Sequence, residues 1–70
     1  MANMLFTANW CGPCKSVKRV IEESNIEVDI MDVDIHPDLC KAHAVLTVPT
    51  LVLENGTLIT TANEIIDYLS

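Results

Sequence analysis

Trp10-Cys11-Gly12-Pro13-Cys14 is the stretch on which the reading of the fold turns. The short apolar run Met4-Leu5-Phe6-Thr7 leads into it, and a basic amphipathic segment leaves it toward Asn25. The run has the composition of a short, fully buried strand. The segment predicts a helix from Gly12 to Asn25, with Cys14, Val17, Val20, Ile21 and Ser24 on its buried face. A strand that stops at a C-x-x-C opening a helix is a place for thiol chemistry. Helix-start N–H groups and the positive end of the macrodipole face Cys11 and favour thiolate over thiol. Pro13 falls in the first turn, where its missing N–H costs nothing and its fixed φ suits the helix. Gly12 has no Cβ, which leaves room for a substrate disulfide. Cys14, about one turn on, reaches Cys11 but is turned inward. The expected pair is an exposed attacking sulfur, Cys11, and a shielded resolving one, Cys14.

Beyond this stretch, the size and composition narrow the class. Seventy residues make one domain, 1–70, and half of them are hydrophobic. A net charge of −6 disfavours nucleic acid as a partner. No apolar stretch approaches the ~20 residues of a membrane helix. No basic start precedes an apolar run, so no signal peptide is expected. A Cys11–Cys14 bridge closes too short a loop to restrict the unfolded chain much. Cys40 is then left over, which argues against a secreted disulfide framework. A monomeric cytoplasmic protein without cofactor or metal is the expectation.

Downstream, Ile26–Ile30 alternates apolar and acidic residues and predicts a strand with one wet face, placed at the sheet edge. Asp32, Asp34 and Asp38 read as solvated loop and helix start. His36-Pro37-Asp38 opens a short helix through Ala44, carrying Cys40 as a small buried residue and His43 at the surface or half buried. Thr50–Glu54 and Thr57–Thr60 read as a hairpin about an Asn55-Gly56 type I′ turn. Thr61 and Glu64 form a capping-box pattern before a last helix that buries Ile65, Ile66 and Leu69, with Tyr68 at the rim. On the first helix, Lys18–Glu22 and Arg19–Glu23 have i,i+4 spacing and read as a solvated face. Lys15, one turn after Cys11, reads equally as solvated or as added positive charge beside the thiolate.

The pentapeptide resembles the active site of the thioredoxin superfamily residue for residue. The likeness continues through Thr47-Val48-Pro49-Thr50, similar to the segment with the family's cis-proline, and through Asn55-Gly56 after Leu51-Val52-Leu53-Glu54. The resemblance implies an α/β, minimal thioredoxin fold of glutaredoxin size, β-α-β-α-β-β-α, with a four-stranded mixed sheet flanked by three helices. The extra upstream strand and helix of thioredoxins are expected to be missing. Only about 5–6% of X-Pro bonds are cis, so the residues alone favour trans. The resemblance implies instead a cis Val48–Pro49 bond beside the sulfurs, leaving the Val48 backbone to pair with an extended partner segment. It also implies that Trp10, Gly12, Pro13, Val48 and Pro49 contact substrate. The function implied is reduction of protein disulfides through Cys11 as nucleophile and Cys14 as resolving thiol. The partners implied are disulfide-containing proteins and an electron donor, either a reductase or a low-molecular-weight thiol.

Two departures qualify this picture. Thioredoxins carry a buried acid at the position of Leu5 and a lysine at that of Ile30, so a Cys14 thiol reluctant to ionise is expected. The glutathione-holding Gly-Gly-acid pattern of glutaredoxins is replaced by Thr60-Thr61-Ala62-Asn63, which disfavours a glutathione-linked reductase. Two rivals come from other classes. One is a redox-dependent binding module. The other is a structural zinc site made by Cys11, Cys14, Cys40 and His43.

Overall fold

Strand β1 (Asn3–Thr7) lies inside a four-stranded sheet of order β2-β1-β3-β4. The computed structural model describes residues 3–69. Helix α1 (Gly12–Ser24) follows β1 and returns the chain to β2 (Val28–Asp32), which pairs parallel to β1 with Leu5 opposite Ile30. Helix α2 (Pro37–Ala42) leads to β3 (Thr50–Val52), antiparallel on the other side of β1 with Leu5 opposite Leu51. Strand β4 (Leu58–Ile59) pairs antiparallel with β3, and α3 (Ala62–Leu69) ends the described chain. The order of elements and the mixed sheet are those expected.

Alternation along β1 sorts the core into two sides. Leu5 and its partner Leu51 point to one side, where Val17 and Ile21 of α1 and Ile65 of α3 complete a buried cluster. Phe6 points to the other side and is fully buried, with the His43 ring tilted against it at 6.0 Å between centroids. No residue of α2 itself is fully buried, so the contact between Phe6 and the C-cap residue of α2 helps seat that short helix. Thr50, also buried, satisfies its hydroxyl by donating to the Thr47 carbonyl at 2.6 Å.

Several boundaries differ from the expectation, each for a local reason. Strand β2 starts two residues later than Ile26. Asn25 adopts the left-handed region (φ 54) and the Ile26 N–H returns to the Ile21 carbonyl at 3.3 Å, so both residues belong to the helix terminator. Ser24 is exposed rather than on the buried face, and Val20 is half buried. Helix α2 stops at Ala42, not Ala44, through the same device: Ala44 sits at φ 57 and the Val45 N–H reaches back to the Cys40 carbonyl at 2.8 Å. The hairpin is not a type I′ turn, which needs positive φ at both central residues. Only Gly56 has it (φ 89); Glu54-Asn55-Gly56 form a three-residue loop between Leu53 and Thr57, with the Gly56 N–H bonded to the Leu53 carbonyl. The Asn55 side chain holds the Thr57 N–H at 3.0 Å, and both hairpin strands are shorter than expected.

Other expectations meet their residues. Strand β2 is the sheet edge, with Asp29 exposed on it, but Ile30 is 45% exposed as well, so the expected dry face does not extend to it. The Thr61 hydroxyl caps the Glu64 N–H at 3.4 Å; the Glu64 carboxylate accepts from that hydroxyl at 2.9 Å rather than from the backbone. Arg19 and Glu23 pair at 3.0 Å on the exposed face of α1. Ile66 and Leu69 are half buried against the core around Ile65.

Candidate active site

Cys11 is the N-cap of α1, in extended conformation (φ −91, ψ 111), with its N–H held by the Ala8 carbonyl at 3.1 Å. No side chain caps this helix start. An N-cap group ordinarily meets the N–H of the second or third helical residue. The second is Pro13, which has none, so the Cys14 N–H is the donor left in the first turn. Cys11 thus stands at the N-terminal end of the helix dipole.

The two sulfurs lie in a small apolar cluster of Ala8, Cys11 and Cys14, packed by half-buried Val33 and Val48. Cys14 is 0% exposed, as expected of the shielded thiol. Cys11 is not the exposed residue anticipated: only 4% of its surface is open. Val33 after β2 and Val48 pack against the cluster that contains it, and neither is visible from the spacing of the motif. Gly12 and Pro13 are exposed, and a Cβ on Gly12 would meet nothing within 4 Å. The missing side chain therefore serves no packing need and leaves open space beside the sulfurs.

Burial pushes the Cys14 thiol up to about 11 from an ordinary 9.0, helped by its hydrogen bond to the Cys11 side chain and by the negative charge of Cys11. Hydrogen bonding from the Ala8 backbone and the Lys18 ammonium pull the other way. Lys18, at i+4 from Cys14 and half buried, is the cation felt by the buried thiol, whereas Lys15 is exposed. The i+4 spacing was the available signal for Lys18. A folded reduced protein keeps the Cys14 proton to about pH 11 while the unfolded chain releases it near 9. The stability this gives is whole below pH 9 and drains away as pH rises toward 11, about 2–3 kcal/mol in all. Urea midpoints of reduced protein should fall across that window, and protein with a Cys11–Cys14 bridge should lack this component. Equal slopes for the two forms would refute the assignment.

Trp10 is 71% exposed, and its indole N–H donates to the Asp34 carboxylate at 3.2 Å. Asp34 is exposed, as expected of a solvated loop, but its partner is 24 residues away, beyond any local pattern. The Asp32 carboxylate in turn accepts the Asp34 N–H at 2.8 Å. Val48–Pro49 is cis and Pro49 is buried, with Val48 against the sulfur cluster. Among the described residues the Val48 main chain makes no hydrogen bond. Cys40 is half buried rather than buried, and all three cysteines are free. Among the described residues no group of three or more His, Cys, Asp and Glu gathers to hold a metal, so Cys11, Cys14, Cys40 and His43 do not come together as a zinc site.

A C-x-x-C at the start of the helix following a central strand, with a cis-proline segment against its sulfurs, defines a thioredoxin-fold dithiol site. The thioredoxin family model matches residues 3–67, and the chain belongs to the thioredoxin family. It is 41% identical over 54 residues to a thioredoxin of Mycobacterium tuberculosis, covering 69% of this chain and 47% of that protein. It is 39% identical over 57 residues to the bifunctional thioredoxin reductase/thioredoxin of Mycobacterium leprae, covering 73% of this chain and 12% of that one. The chain spans about half the length of the curated thioredoxins it matches. In structure it is similar to the glutaredoxin-like NrdH-redoxin of Escherichia coli, with a TM-score of 0.77 at 20% identity, covering 100% of this chain and 96% of the other. That likeness is one of fold. A thioredoxin from Halobacterium salinarum gives a TM-score of 0.76 at 29% identity over 97% of this chain and 70% of its own.

Proposed function

We propose that this chain is a thiol–disulfide oxidoreductase that reduces protein disulfides. Cys11 thiolate attacks one sulfur of a partner disulfide; the Cys11–partner bond forms, and the partner's other sulfur leaves as thiolate and takes up a proton. Cys14 then gives up its proton and attacks the Cys11 sulfur. The partner departs as a dithiol two electrons richer, and Cys11–Cys14 is left oxidised. A reductase or a low-molecular-weight thiol returns the two electrons. Trp10, Gly12, Pro13 and the Val48–Pro49 segment receive the partner, with the open Val48 main chain available to an extended strand. Lys15 stands on the exposed side of the site as a further positive charge. No helix of the described residues is long and apolar enough to cross a membrane. The free cysteines suit a reducing compartment such as the cytoplasm.

The observation that carries this reading is the placement of two free thiols in one cluster, one at a helix N-cap and one fully buried behind it. Protein-disulfide reduction under a dithiol donor tests it. Turnover of insulin disulfides should be catalytic, while incubation with glutathione disulfide should glutathionylate Cys11 only slowly, because residues 60–63 lack the glutathione-holding pattern. Rapid glutathionylation with no protein-disulfide turnover would favour the glutaredoxin-type alternative. A single stable adduct without turnover would favour the binding module.

A further inference from the structure

Among the described residues, strand β2 has β1 on one edge and no strand on the other. Just past it, the Val33 N–H donates to the Thr7 carbonyl at 2.9 Å, so residue 33 faces β1. In a parallel pair, alternate residues turn their N–H and C=O to the same neighbour. Asp29 and Met31 therefore also face β1, while Val28, Ile30 and Asp32 face outward. The Asp32 carbonyl accepts from the Ile35 and His36 N–H groups. Val28 and Ile30 each keep an open donor and acceptor on this edge, and Asp32 keeps an open donor.

Open edges template a further strand, and proteins blunt them with charge. Here the charge has one sign. Between Arg19 and Lys41 the sequence has no Lys or Arg, and Glu27, Asp29 and Asp32 bracket Ile30. Glu27, Asp29 and Ile30 are all exposed. Pairing with β1 puts Ile30 on the Leu5 side of the sheet and Asp29 on the other. A second copy along this edge would bring acid to acid, and like charges directly opposite are unfavourable. A strand with apolar residues on one face and Lys or Arg on the other meets Ile30 with carbon and Asp29 with a cation.

We propose that the outer edge of β2 docks an extended, basic segment of a partner protein as a fifth strand. Its backbone pairs with Val28, Ile30 and Asp32, its apolar face covers Ile30, and its Lys or Arg side chains meet Asp29. Main-chain bonds hold such a strand, and alternate side chains select it. Strand β2 ends at Val33, which packs on the sulfur cluster, so the docked partner is held on the layer that carries the thiols.

The test titrates the chain with a short peptide that alternates valine with lysine, read by fluorescence anisotropy and amide NMR. The peptide has no cysteine, so its outcome is independent of the dithiol reading. Binding should slow exchange of the Val28, Ile30 and Asp32 amides by about tenfold. Glutamate in place of lysine, or a scrambled order without alternation, should weaken binding by about tenfold. N-methylation of one alternate set of peptide amides should abolish binding and of the other set should spare it. Asp29→Lys, at an exposed position, should bring the lysine and glutamate peptides level. Ile30→Pro loses an outward N–H, which an edge strand tolerates, so it should lose binding with Tm little changed. Equal binding of alternating and scrambled peptides would mean charge attraction only and would overturn the proposal. So would failure to bind, binding that leaves the β2 amides unprotected, or dimers of the chain alone that protect those same amides.

Discussion

Replacing Cys11 with serine should abolish disulfide turnover, a loss of a thousandfold or more, in line with removal of the nucleophile from a covalent mechanism. A serine hydroxyl is not ionised at neutral pH and does not attack sulfur, so the helix N-terminus would face a group with nothing to stabilise. Cys14 cannot substitute: it is fully buried and holds its proton to about pH 11. Cys14→Ser should behave differently. The first exchange survives, the second does not, and one equivalent of partner accumulates on Cys11. Mass spectrometry of the two variants after incubation with a protein disulfide decides the matter. Residual turnover by Cys11→Ser, or an adduct mapped to Cys14, would reverse the assigned roles.

Phe6→Ala should cost about 3–5 kcal/mol, the range for emptying a buried aromatic site. A chain of this size has roughly 4–10 kcal/mol in total, so the variant should be partly unfolded at 37 °C. Phe6 is the largest fully buried side chain and lies on the α2 side of the sheet, where no residue of α2 is fully buried. Losing the ring also removes the surface on which His43 rests. Helix α2, including Cys40, should therefore loosen before the Leu5–Val17–Ile65 side does. Chemical denaturation measures the stability loss, and Cys40 alkylation relative to Cys14 reports the order of loosening. A change below 1 kcal/mol would mean that this side of the sheet is not a packed core.

How much of this was legible beforehand depends on the range of the interaction. The helix after β1, its Pro13, the inward Cys14 and the Thr61–Glu64 cap are local, and periodicity or spacing carried them. The hairpin position was legible, but its turn type was not. An Asn-Gly pair suits a two-residue turn and equally a three-residue loop with glycine at its last position, and the register between Leu51 and Ile59 decides between them. Boundaries at Asn25 and Ala44 failed because left-handed terminators were filled by residues other than glycine. The packing of Val33 and Val48 on the sulfur cluster, and the Trp10–Asp34 bond, join segments more than twenty residues apart, and no local pattern encodes them.

The sulfur-bearing turn hangs from β1, an interior strand with β2 hydrogen-bonded along one edge and β3 along the other. Local opening begins where backbone bonds face water, at edges and chain ends. On warming, β4 and the outer edge of β2 can therefore fray while the post that carries the thiols stands. Redox competence should persist until the domain comes apart as a whole, so heat would switch this small chain off abruptly instead of dimming it.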